Sequence, residues 1–174
     1  MPRVVAKPEA MALLAAEREA LLGKEPGCVL CALVRRAREG PNLLAENEHG
    51  IALLDRFASR HGHVIVLSRR HVEQTTALGH TAYTELQRLA YDACVAVERC
   101  FSPVRTFVAV LGASESVPMS FPHFHIHVLP IYESGEAARP ANVFSWTTAG
   151  IVVYDDAEAR ELVRRLKSNW PQSG

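Results

Sequence analysis

The run Pro122-His123-Phe124-His125-Ile126-His127-Val128-Leu129-Pro130 sets three imidazoles at alternate positions among apolar residues. Period two is the signature of a half-buried strand, so one face enters a core and the other carries the histidines. Imidazole titrates near neutral pH and serves as metal ligand, acid, base or nucleophile. At a rise of about 3.3 Å per residue, the backbones of His123 and His127 stand roughly 13 Å apart. One metal cannot easily take all three, and labour divides: an end imidazole can hold a metal while the middle one stays free for chemistry.

A second group is Cys28-Val29-Leu30-Cys31, two thiols at the spacing of a zinc site. Tetrahedral zinc wants two further ligands, which histidines can supply. The competing reading, a thioredoxin-like redox pair, wants a buried strand just before it and a βαβ setting. Residues 22–27 (LGKEPG) offer no such strand, so zinc is the favoured reading. Cys94 and Cys100 sit in a helical pattern and read as core filler.

Several elements must position these groups. Residues 8–22 are rich in Ala, Leu and Glu and predict a helix that stops near Gly23 and Pro26. A short helix follows from the Cys pair to Gly40-Pro41. Residues 43–46, 51–55 and 63–67 predict strands. From Thr81 to Cys100, apolar residues at 83, 86, 90, 93, 97 and 100 mark one long amphipathic helix. A strand over 105–111 precedes the loop 112–118 and the histidine strand. Short strands are expected within 143–153, and a last helix over 155–170 carries Asp155 or Asp156 as its cap. The sum is an α+β chain with helical segments at both ends.

With 174 residues, 48% apolar and 22% charged, the chain is long enough for a real core. Nineteen basic residues balance nineteen acidic ones, which argues against a bulk nucleic acid as partner. A compact phosphate-bearing ligand needs only local donors. No apolar run reaches membrane-spanning length, and the N-terminus lacks the apolar stretch of a signal peptide. The expected location is cytoplasmic.

Residues 123–129 meet in full the pattern His-φ-His-φ-His-φ-φ, with φ apolar, and the chain resembles the histidine triad (HIT) superfamily of nucleotide hydrolases and transferases. A second block, Leu54-Asp55 with Gly62-His63-Val64-Ile65-Val66-Leu67-Ser68-Arg69-Arg70-His71, is similar to another family segment. The resemblance implies a HIT-like antiparallel sheet of about five strands with a long inserted helix. It divides the single domain into an arm (1–24), a core (28–130) and an extension (131–174). His125 matches the nucleophile that attacks the α-phosphorus. His127 and His63 match histidines of the phosphate pocket that assist the leaving group. Asp55 matches a residue facing the ribose, and Ser120 a hydroxyl near the phosphates. Zinc-bearing members imply a structural zinc on Cys28, Cys31, His71 and His123.

The implied activity is hydrolysis of a nucleoside phosphoramidate or a dinucleoside polyphosphate through a nucleotidyl-histidine. Nucleotidyl transfer is less expected, since the related uridylyltransferases replace the third histidine by glutamine and His127 is intact. A non-catalytic nucleotide-binding protein is the other alternative, as is an unrelated metalloenzyme with its metal on His125 and His127. The family also implies a homodimer built through the long helix and a sheet edge. Departures fall at Gly112 and Met119, where polar amides are usual, and at Arg56, Ala58 and Ile131. His49, His61 and His80 match no role and are read as surface.

Overall fold

The structure is a computed structural model that describes residues 3–23, 27–112, 121–144 and 150–172. Its centre is an antiparallel sheet of strands β2 (Leu43–Glu46), β3 (Gly50–Leu54), β5 (Val64–Ser68), β6 (Arg105–Ala109) and β7 (His125–Ile131), in spatial order β2-β3-β5-β7-β6. The long helix α3 (His80–Phe101) covers one face, burying Leu86, Leu89, Ala90, Ala93, Ala96 and Val97. These meet Ala52, Leu54, Val64, Val66, Ile126 and Val128, the alternate residues of the three central strands. The helix α5 (Asp156–Ser168) adds Leu162, Val163 and Leu166 to the same core. Asp155 caps it and forms a capping box with Glu158, so one of the two expected caps is used.

The opposite face carries Ile51, Leu53, Ile65 and Leu67, packed under α2 (Val29–Arg36). Register brings the histidines to this face. Leu67 pairs with His125 and Ile65 with His127, and directly paired residues project to the same side. Farther along β7, Leu129 and Ile131 meet Val143 of α4 (Pro140–Phe144).

A second, three-stranded sheet joins the two ends of the chain. Its order is β1 (Arg3–Val5), β8 (Ile151–Val153) and β4 (Phe57–Ala58), with Val5 opposite Ile151 and Phe57 opposite Val153. The arm is therefore a strand followed by the helix α1 (Lys7–Leu22), not helix alone. Of the strands expected over 143–153, the described residues show β8, while Val143 and Phe144 lie in α4 and residues 145–149 are outside the described ones. The histidine strand also starts later than its pattern suggests: His123 and Phe124 precede β7, and the His123 amide donates to the Phe121 carbonyl at 2.7 Å.

Gly62 shows how tightly the turn into β5 is held. Its φ is +81°, and an added Cβ would stand 2.5 Å from the Phe101 ring. Its amide donates to the Tyr154 hydroxyl at 2.9 Å, tying this turn to the C-terminal extension. No helix among the described residues is long and apolar enough to cross a membrane.

Candidate active site and metal centre

Cys28 caps α2 and Cys31 lies one turn on, so both thiols project to one side. They meet His71, which follows β5, and His123. The four potential ligand atoms lie within 4.8 Å of one another. Cys28 Sγ is 3.5 Å from His123 Nδ1, and Cys31 Sγ is 3.4 Å from the same atom and 3.3 Å from His71 Nδ1. Zinc bonds of about 2.3 Å to sulfur and 2.05 Å to nitrogen give tetrahedral S···N edges of roughly 3.6 Å. The cluster fits such an ion.

The chemistry of the donors agrees. His123 Nε2 donates to the Ser68 carbonyl at 2.7 Å, which fixes the tautomer and leaves Nδ1 a lone pair facing the thiols. Burial and the neighbouring Cys28 thiol push Cys31 up to about 11, a cost that a bound cation reverses. Ser68 was not singled out in the sequence, although a polar residue closing the buried run Val-Ile-Val-Leu was a usable signal.

His125 starts β7 with its ring nine-tenths buried. Its Nδ1 donates to the His123 carbonyl at 2.7 Å, so Nε2 is the nitrogen with the free lone pair. Burial holds its pKa below the usual histidine value. The ring lies 4.8 Å from that of His127, nearly perpendicular to it.

His127 continues into a chain of contacts. Its Nδ1 is 3.0 Å from His63 Nε2, and His63 Nδ1 stands 3.1 Å from Asp55 Oδ2, off the line of an ideal hydrogen bond. The other carboxylate oxygen of Asp55 accepts the Phe57 amide at 3.0 Å. Burial opposes the charge on Asp55, but His63, the Phe57 amide and His127 outweigh it and hold the carboxyl below its ordinary value. Burial, helped by His63 and His125, pushes His127 down to about 2.

Of the residues expected at the site, His63, Asp55, His125 and His127 come together, and the four metal candidates form a separate cluster beside them. Asp55, which the resemblance matches to a ribose-facing residue, has its two oxygens against His63 and the Phe57 amide. Ser120 and Met119 lie outside the described residues. His61 is not a plain surface residue: its ring packs against Phe101 and Tyr154, and its Nδ1 is 3.1 Å from the Tyr154 hydroxyl. Two aromatic neighbours were not foreseen: Phe144 of α4 meets the His127 ring at 5.4 Å, and Phe121 meets His125 at 6.5 Å.

This sheet, the inserted helix and the histidine strand define a histidine triad protein. The profile of the HIT domain matches residues 38–134, more than half of the chain, and the protein belongs to that family. An uncharacterized HIT-like protein of Mycoplasma genitalium is 27% identical over 110 residues, which are 63% of this chain and 76% of that one. A Zn-bound histidine triad family protein from Mycobacterium smegmatis superposes with a TM-score of 0.60 at 19% identity, covering 82% of this chain and 92% of that one. A uridylyltransferase structure gives a TM-score of 0.61 at 20% identity, covering 95% of this chain and 51% of that one.

Two measurements follow. Metal analysis of Cys28→Ser is expected to show loss of about one zinc per chain, while His125→Asn keeps it; the opposite pattern contradicts the Cys2His2 site. His127 stays neutral in the folded protein but binds a proton below pH ~6.5 once unfolded, so stability falls on acidification. Between pH 6.5 and 4.5 the wild type is expected to lose up to about 1.4 kcal/mol per pH unit more than His127→Gln in urea titrations. Parallel curves for the two proteins would show that His127 does not carry this loss.

Proposed function

We propose that the protein is a nucleotide hydrolase that works through a nucleotidyl-histidine on His125. The observation that carries this reading is the fixed tautomer of His125, held by the His123 carbonyl, next to the Asp55–His63–His127 chain. Nε2 of His125 attacks the α-phosphorus; an N–P bond forms and the bond to the leaving group breaks. A neutral imidazole suits this step, since protonated Nε2 has no lone pair.

The leaving group needs a proton. When His63 carries the extra proton, Nδ1 faces the Asp55 carboxylate and Nε2 donates to His127 Nδ1. His127 then presents Nε2–H, and a proton passed outward from it is replaced from His63. Asp55 holds the charge in place. Water next attacks the phosphorus and gives its proton back through His127 to His63, the N–P bond breaks with its electron pair returning to Nε2, and His125 is regenerated. Cys28, Cys31, His71 and His123 would hold a zinc ion that would supply structure, steadying the His123 ring, whose own carbonyl orients the nucleophile in this reading.

Nucleoside phosphoramidates and dinucleoside polyphosphates are the substrate classes assigned. Adenosine and guanosine phosphoramidates and diadenosine polyphosphates, offered to wild type and His125→Asn, test the assignment. Wild type is expected to turn over at least one class, with a loss of at least about 10³-fold in the variant. A nucleotide adduct on wild type, seen by mass spectrometry after alkaline quenching, is the second expected result. Turnover of neither class overturns the hydrolase; nucleotide binding unchanged by His125→Asn then indicates a binding protein. Transfer to a second substrate is the other reading, favoured by the 95% coverage in the uridylyltransferase superposition and opposed by the intact His127.

The proposed assembly is a homodimer. Among the described residues β6 ends the sheet with one edge unpaired, and Val104, Val108 and Leu111 are exposed on and beside it, as is Tyr91 on α3. An apolar free edge favours pairing with another strand. Sedimentation is expected to show a dimer for wild type and a shift toward monomer for Val108→Lys, and a wild-type monomer removes the assignment.

A further inference from the structure

The face that carries His125 and His127 continues across β5 and β3. His127 pairs with Ile65 and Ile65 with Leu53, so these three form one row across the sheet. Leu53 is two strands, about 10 Å, from His127. Around Leu53 a cavity of about 540 Å³ opens, a volume usual for small-molecule sites. Arg56 and Phe57, directly after Asp55, contribute to its wall.

Another part of the wall comes from α1, which lies outside the matched HIT region. Leu13, Glu17 and Leu21 line the cavity and stand four residues apart, on one stripe of the helix. A carboxylate between two leucines is costly unless something polar meets it. The Glu17 side chain makes no hydrogen bond or ion pair with another described residue. Arg56, the cation of this cavity wall nearest in role, is engaged elsewhere: it pairs with Asp156 at 3.0 Å and donates to the Tyr154 carbonyl at 3.4 Å. Burial raises the Glu17 pKa, with Arg56 working against the rise and Asp55 and Asp156 adding to it.

We propose that this cavity takes the base of the nucleotide whose α-phosphate meets His125, and that Glu17 selects guanine. A carboxylate accepts two hydrogen bonds side by side. Guanine presents N1–H and its 2-amino group as adjacent donors. Adenine presents one amino donor beside N1, an acceptor that the carboxylate repels. The distance from the histidines to the cavity matches the reach of a nucleoside. This proposal rests on the nucleotide reading above and adds a specificity that the HIT core does not contain, since the selecting residue comes from the N-terminal arm.

Calorimetric titration of GMP and AMP into wild type and Glu17→Gln tests it. Wild type is expected to prefer GMP by roughly tenfold to a hundredfold, the range for hydrogen bonds to a charged group. In Glu17→Gln the GMP:AMP affinity ratio is expected to fall by roughly tenfold or more. Thermal melting checks that the substituted helix stays folded. Equal affinity for the two nucleotides in wild type, an unchanged ratio in the variant, or binding of neither overturns the proposal. The two readings fail separately. Equal turnover of guanosine and adenosine phosphoramidates, abolished by His125→Asn, removes guanine selection and keeps the hydrolase. GMP-selective binding without turnover does the reverse.

Discussion

The pairing register between β5 and β7 is the constraint on which the site depends. Val64 opposite Val128 and Val66 opposite Ile126 send apolar side chains toward α3, which forces His125 and His127 to the other face. A slip of one residue would drive both imidazoles into a core of alanine, valine and leucine and expose the isoleucine. The cost of burying two unpaired imidazoles there makes the register self-enforcing. Packing on one side of the sheet thus fixes chemistry on the other.

His123 joins the two centres. Its ring faces the thiols of α2, and its carbonyl holds the Nδ1 hydrogen of His125. Because it precedes β7 rather than belonging to it, its side chain is free of the strict up-and-down alternation of the strand. The Phe124 amide, donating to the Val72 carbonyl at 2.6 Å, anchors this bend on the far side. A disturbance at Cys28 or Cys31 therefore reaches His125 through a single residue.

The central sheet, α3 and the helix at each end were legible because their apolar periods span many residues and need no knowledge of partners. The Cys2His2 grouping was legible in the spacing of Cys28 and Cys31 and in the resemblance carried by His71 and His123. The second sheet was legible only in β8, which falls within the short strands expected over 143–153. β1, β4 and β8 have three, two and three residues, too few for a period, and they exist only because distant segments pair. The same long-range contacts explain what local reading missed about Arg56: an arginine at a usually apolar position finds Asp156, a hundred positions later. The sequence marks Asp55 as a match to a ribose-facing carboxylate, and only three-dimensional proximity reveals its contact with His63. The aromatic contacts of Phe144 and Phe121 with the histidines have no local signature either.

The β1–β8 pairing also orders events in time. Arg3 leaves the ribosome long before its partner Val153, because the two lie far apart in the sequence. Until then α1 can meet α2, but the sheet that pins its start cannot form. Closing so long a loop carries its entropy cost late, after the HIT core has its strands in place. The wall that α1 gives to the cavity is thus finished late, and the site becomes whole only when β1 and β8 have found each other.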